Sequence, residues 1–123
     1  MVQLNAQEFT KICRELYSIN ETVTIQASSD QVKFSVEGDV GSGLVSLAAN
    51  DGVKKEDQTI LEVSQGVTQQ FALRYLNMFN KASTLSTHTR LCLHAEQPLV
   101  VEYHIDDLGV LKYFLAPKIS DDQ

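Results

Sequence analysis

Five side chains in this 123-residue chain have the chemistry of nucleophiles or soft metal ligands: Cys13, Cys92, His88, His94 and His104. A reactive thiol needs an accessible sulfur with a lowered pKa. Cys13 instead falls on the apolar stripe Phe9, Ile12, Cys13, Leu16, and Cys92 alternates within a strand-like run, so both are expected in the core. Zinc ligands come in closely spaced pairs. The cysteines here are solitary and the histidines share no turn; His94 and His104 could meet only across adjacent strands. Asp106-Asp107 and Asp121-Asp122 are paired acids, but they sit in a turn and a tail, where water solvates them. General acid–base catalysis needs a desolvated carboxyl with a shifted pKa. Gly38-Asp-Val-Gly-Ser-Gly43 lacks the lysine and the following helix of a phosphate-binding loop. The expectation is a protein that is not an enzyme and uses no metal or cofactor.

Binding chemistry is concentrated near the C-terminal end. An apolar hairpin, Pro98-Leu-Val-Val-Glu-Tyr-His-Ile105 and Val110-Leu-Lys-Tyr-Phe114, runs into Leu115-Ala-Pro-Lys-Ile119 and then an acidic stop. Capturing a short peptide requires an apolar floor, free backbone groups and a segment rigid enough to limit the entropy lost on binding. Pro117 fixes its own φ and biases Ala116 toward extended backbone, leaving neighbouring carbonyls outside any ladder. The same residues also fit a strand end that merely frays.

The elements that must hold this segment alternate in period. Asn5-Ala-Gln-Glu8 has the spacing of a capping box, and Phe9, Ile12, Cys13, Leu16 and Ile19 follow at helical steps, which predicts a helix of about four turns. Period-two runs at Thr22–Ser28, Gln31–Glu37 and Gly43–Ala49 read as an antiparallel meander. The order then repeats after the polar loop Asn50–Asp57. A strand is expected at Thr59–Val63, an extended entry at Val67–Gln70, a helix near Ala72–Ala82, and strands at Thr87–Ala95, Leu99–Ile105 and Val110–Ala116. With Val2-Gln-Leu4 included, each half is strand, helix, three strands. This predicts an α+β domain with pseudo-twofold symmetry and both helices on one face.

Composition bounds the possibilities. At 123 residues, 43% hydrophobic and 21% charged, the chain has the size and make-up of one globular domain. No apolar run reaches the length of a membrane span, and the two lone cysteines fit a reducing, intracellular setting. A net charge of −6 argues against nucleic acid as a partner in bulk. The helical segments, however, gather Lys11, Arg14, Arg74 and Lys81 against only Glu8 and Glu15. The second helix should bury Ala72, Tyr75, Leu76 and Phe79 and present Arg74, Asn77, Met78 and Lys81 on another stripe. Such cations are either ordinary solvated charge or a surface for a duplex backbone.

Phe9-Thr-Lys-Ile-Cys-Arg14, Phe71-Ala-Leu-Arg-Tyr-Leu-Asn77 and the Leu115-Ala-Pro-Lys ending together resemble the C-terminal domain of eukaryotic sliding clamps, the proliferating cell nuclear antigen family. The resemblance spans essentially residues 1–123 and implies a single clamp domain, without the N-terminal domain and interdomain connector of a full subunit. It implies a processivity factor of DNA replication and repair, working in the nucleus. Its partners would be double-stranded DNA met without base reading, a clamp loader, other clamp domains, and proteins bearing PCNA-interacting peptides; no membrane is involved. Carried over by position, Ala72, Pro98, Phe114, Leu115, Ala116, Pro117, Lys118 and Ile119 belong to the peptide groove, and Lys11, Arg14, Arg74 and Lys81 to the DNA-facing surface. Leu16, Ile19, Gly43, Val45 and Leu47 belong to the subunit edge, with Val110–Leu115 as the opposite edge. Phe114 stands where animal relatives have tyrosine, Gln3, Ser18 and Ser46 replace basic residues or histidine, and Ser29 occupies the position of a ubiquitin-accepting lysine. The alternative is a stand-alone clamp-like scaffold that sequesters clamp-binding peptides without encircling DNA.

Overall fold

Asn5 ends one element and caps the next in the computed structural model, which describes residues 1–50, 54 and 58–118. It closes strand β1 (Val2–Asn5), and its side-chain oxygen accepts the Glu8 N–H at 2.8 Å to open helix α1 (Ala6–Tyr17). The capping spacing therefore acts as expected. The helix is 12 residues long, shorter than four turns, because the Ser18 and Ile19 N–H groups close onto the Glu15 and Leu16 carbonyls. Phe9, Ile12, Cys13 and Leu16 are buried on its stripe, whereas Ile19 lies past its end, 38% exposed.

The meander follows as β2 (Thr22–Ala27), β3 (Gln31–Glu37) and β4 (Ser42–Ala48). Next come β5 (Ile60–Leu61), β6 (Val67–Ala72), helix α2 (Leu73–Phe79) with a 3-10 turn at Asn80–Leu85, β7 (His88–Cys92), β8 (Leu99–Ile105) and β9 (Gly109–Leu115). One sheet has the order β5-β1-β7-β8-β9 and the other β4-β3-β2-β6, with antiparallel neighbours throughout.

The two expected units are present as β1-α1-β2-β3-β4 and β6-α2-β7-β8-β9. Their first strands are exchanged: β1 pairs with β7 of the second unit, and β6 with β2 of the first. This exchange makes Val67–Ala72 a full strand rather than an extended entry, since β2 offers it an open edge from Thr22↔Ala72 to Ala27↔Val67. The expected strand at Thr59–Val63 contracts to two residues beside an isolated Asn50↔Thr59 bridge.

The second helix also differs from its expected face. The Leu73 N–H donates to the Glu21 carbonyl at 2.8 Å, which sets Leu73 and Leu76 inward and leaves Tyr75 37% exposed. The tighter 3-10 turn then directs Asn80, Ala82 and Ser83 into the interior.

The two helices pack against each other, and α1 also touches β1 and β7 of one sheet and β2 of the other. A single core joins Val2 and Leu4, Phe9 and Leu16, Ile25, Phe34, Phe71, Leu76, Leu91, Val101 and Tyr103. Phe79 stacks on Tyr113 at 4.4 Å between centroids, and Tyr103 meets the same ring edge-on at 6.2 Å. The buried Tyr103 hydroxyl donates to the Asn80 side-chain oxygen, fastening the 3-10 turn to the sheet. No helix among the described residues is long and apolar enough to cross a membrane.

Candidate peptide groove and helix face

The tail after β9 crosses from the five-stranded sheet to the edge of the four-stranded one. The Lys118 N–H donates to the Gln70 carbonyl on β6 at 2.7 Å, and Lys118 Nζ donates to Thr22 Oγ1 at 2.6 Å. The segment 116–118 is therefore a strap with hydrogen bonds at its far end. Pro117 suits it because it holds extended backbone without needing a donor.

The strap separates two depressions. The larger, about 830 Å³, is floored by β6 and bounded by Ala95, Glu96 and Pro98 on one side and by Ala116, Pro117 and Lys118 on the other. The smaller, about 280 Å³, lies between Glu21, Ala72, Arg74 and Tyr75 and the residues Leu115, Ala116 and Lys118. Ala116 and Lys118 line both.

Six of the expected groove residues are thus brought together, with Ala72 and Leu115 in the smaller depression and Pro98 and Pro117 in the larger. Phe114 lines neither. It pairs with Val100 and projects 66% exposed from the opposite face, since Tyr113 and Leu115 take the inward positions of β9. Ile119 lies outside the described residues, as do Asp121 and Asp122. Sequence reading missed Glu21, Thr22 and Gln69. The first two are distant in the chain, and the pairing of β2 with β6 together with the Leu73 N–H on the Glu21 carbonyl brings them here. Gln69 carried a signal: it is polar at the inward parity of Val67 and Phe71.

The four cations do not form one equivalent set. Lys11 and Arg14 are exposed on α1, and Lys81 is exposed on the 3-10 turn rather than on α2. Arg74 is at the rim of the smaller depression, donating from Nη2 to the Tyr75 hydroxyl at 3.0 Å, with its guanidinium 4.8 Å from that ring's centre. It is held by an aromatic neighbour as well as exposed to solvent.

Of the four outer strands, β4 ends the four-stranded sheet and β9 the five-stranded one, and among the described residues each pairs with one neighbour alone. Val45 and Leu47 face the core half-buried. A Cβ on Gly43 would stand 2.9 Å from Ile19 Cδ1 and 3.0 Å from Leu16 Cδ2, so glycine permits the strand to lie close over these two side chains. The five residues expected at this edge are therefore neighbours in space or along one strand.

The thiols are poorly suited to attack. Burial pushes the Cys13 sulfur up to about 12, only partly offset by hydrogen bonding to Asn80. Cys92 is half-buried rather than in the core, because Leu91 and Leu93 take the inward positions flanking it. Its pKa is also raised, first by burial and then by the Glu102 charge. Glu102 itself lies 3.4 Å from His104 Nε2 and 3.9 Å from Lys112 Nζ, a surface cluster of small energetic weight. Among the described residues no three His, Cys, Asp or Glu side chains converge as metal ligands.

Residues 1–118 match the family model for the proliferating cell nuclear antigen, C-terminal domain. With that match covering nearly the whole chain, and with two antiparallel sheets joined by a two-helix layer, the chain belongs to this family of sliding-clamp domains.

Proposed function

We propose that the domain acts as part of a DNA polymerase processivity factor in nuclear replication and repair, and that its groove captures PCNA-interacting peptides. The observation that carries this reading is the strap: residues 116–118 form a shared wall between an apolar-rich depression and a smaller polar-rimmed one. An extended peptide with apolar side chains and one polar anchor fits such a pair, with the exposed tail available for main-chain contacts. Lys11, Arg14 and Lys81 supply exposed positive charge on the helix side for a duplex backbone, a role that needs no base reading. Strands β4 and β9 supply the edges through which a clamp loader's ring substrate would be assembled from several domains.

Binding is tested by fluorescence polarisation with a labelled PCNA-interacting peptide. The wild-type chain binds, more weakly than a whole clamp, and Ala116→Glu abolishes binding because it places a charge between both depressions. Unchanged binding by Ala116→Glu refutes the groove. Peptide capture without any gain in polymerase processivity, after mixing with a clamp loader and primed DNA, favours the stand-alone scaffold.

A further inference from the structure

We infer that Gln69 is a positioning residue that holds the far wall of the larger depression, at the expense of fold stability. The inference rests on the peptide-groove reading for its function and on separate geometry for its mechanism. Gln69 sits on β6 opposite Ile25, with Val67 and Phe71 on the same inward parity. An apolar side chain would serve the core best at that position. Instead Gln69 Nε2 donates to the His94 carbonyl at 3.1 Å and reaches the Gln97 carbonyl at 3.5 Å. These carbonyls bracket the turn between β7 and β8, which is closed by the Gln97 N–H on the His94 carbonyl at 3.1 Å.

That turn is the wall. Ala95, Glu96 and Pro98 line the depression, and Glu96 holds a positive φ of 63°, which a non-glycine residue adopts only when its surroundings impose it. Two carbonyl acceptors fix the amide orientation, since the reverse flip would face oxygen against oxygen. The consequence is that Gln69 Oε1 points into the interior, buried and without a hydrogen-bond partner among the described residues. An orphaned buried acceptor is destabilising, and a functional contact elsewhere on the same side chain accounts for its retention.

Neighbouring residues of one strand thus hold both walls. Gln70 holds the strap through its main-chain carbonyl, which any residue would provide. Gln69 holds the turn through its side chain, so a single substitution releases one wall and leaves the other in place. The two effects are separable by experiment.

Three proteins decide this: wild type, Gln69→Leu, which keeps the bulk and removes the donor and the orphaned oxygen, and Gln69→Glu, which keeps the shape and removes the donor. Peptide affinity by fluorescence polarisation should fall about three- to tenfold in Gln69→Leu, the size of one net hydrogen bond spent on preorganisation. Its melting temperature should stay level or rise, and amide exchange at Gln97 should accelerate. Gln69→Glu should lose affinity as well, since its carboxylate repels both carbonyls. A residue that merely supports the fold would lose stability and affinity together. Wild-type peptide affinity in Gln69→Leu overturns the inference while leaving the groove standing. If wild type itself binds no peptide, the groove reading fails, and unchanged Gln97 exchange in Gln69→Leu then overturns the positioning role on its own.

Discussion

The strap makes a quantitative prediction about which of its two hydrogen bonds matters. Lys118 is held through its main-chain N–H on Gln70 and through its ammonium on Thr22. Lys118→Ala removes only the second, an exposed charged contact of about 0.2–1 kcal/mol, which limits the loss of peptide affinity to about fivefold. Lys118→Pro removes both, because proline has no N–H, while its fixed φ remains compatible with an extended tail. Residues 116–118 then lose both hydrogen bonds that hold them among the described residues and must be ordered by the peptide. At about 1–2 kcal/mol per backbone residue the ceiling is about 3–6 kcal/mol. Pro117 already restricts the free tail, so the expected cost is near the bottom of that range or below it, about 2 kcal/mol, or roughly thirtyfold in Kd. Fold stability should hardly change, since Lys118 is exposed and lies outside both sheets and the core. The assay is fluorescence polarisation of a labelled PCNA-interacting peptide against the three proteins, with melting curves alongside. Equal affinity in Lys118→Ala and Lys118→Pro would refute the main-chain anchor, and wild-type affinity in Lys118→Pro would remove the strap from the binding site.

Two predictions concern the fold that carries the groove. Tyr103→Phe leaves the buried Asn80 oxygen without its donor, which should cost about 1–3 kcal/mol in urea unfolding. The same change made in an Asn80→Leu background should be nearly neutral, and simple additivity of the two would disprove the coupling. The Cys13 thiol has its pKa raised by burial from 9.0 to about 12, so between those values the unfolded chain releases a proton that the folded chain retains. Stability is therefore unaffected by this group below pH 9 and declines as pH rises above it, by about 1.4 kcal/mol per unit, or roughly 2–3 kcal/mol by pH 11. Cys13→Ala should flatten that slope. Parallel stability curves for the two proteins from pH 9 to 11 would show that the thiol is not the group responsible.

Period and punctuation exposed most elements because local rules and tertiary packing agreed there. Asn5 caps α1 in the way its spacing to Glu8 predicts, and Leu99–Ile105 forms β8 with the expected limits. Disagreement arose where a partner from elsewhere in the chain decided the outcome. Val67–Ala72 has little strand character of its own at Gln69 and Gln70, and becomes a strand because β2 presents an open edge. Tyr75 reads as a buried helix position until Leu73 is locked inward through Glu21. The groove divided along the same line. Ala116, Pro117 and Lys118 were legible as a rigid tail, but the surface they cross to depends on the pairing of β2 with β6. Phe114 is turned away from both depressions by strand parity, a placement that motif position does not carry.

Pseudo-symmetry explains why a groove exists on this side of the domain. In each unit the chain leaves its fourth strand and returns to that unit's own first strand, which has been lent to the other sheet. After β4, the return is β5, which pairs with β1 at Val2↔Leu61 and Gln3↔Ile60. After β9, the corresponding return is the strap, which among the described residues reaches β6 through one main-chain bond, from Lys118 to Gln70. The first return is a short ladder and closes the edge of β1. Among the described residues the second touches β6 at one point, and the two depressions lie on either side of it. Free backbone and apolar surface beside an edge strand are the combination that an added extended segment satisfies. The peptide capture proposed for this domain would use the two depressions beside β6, where the described return makes one bond while β1 carries a ladder.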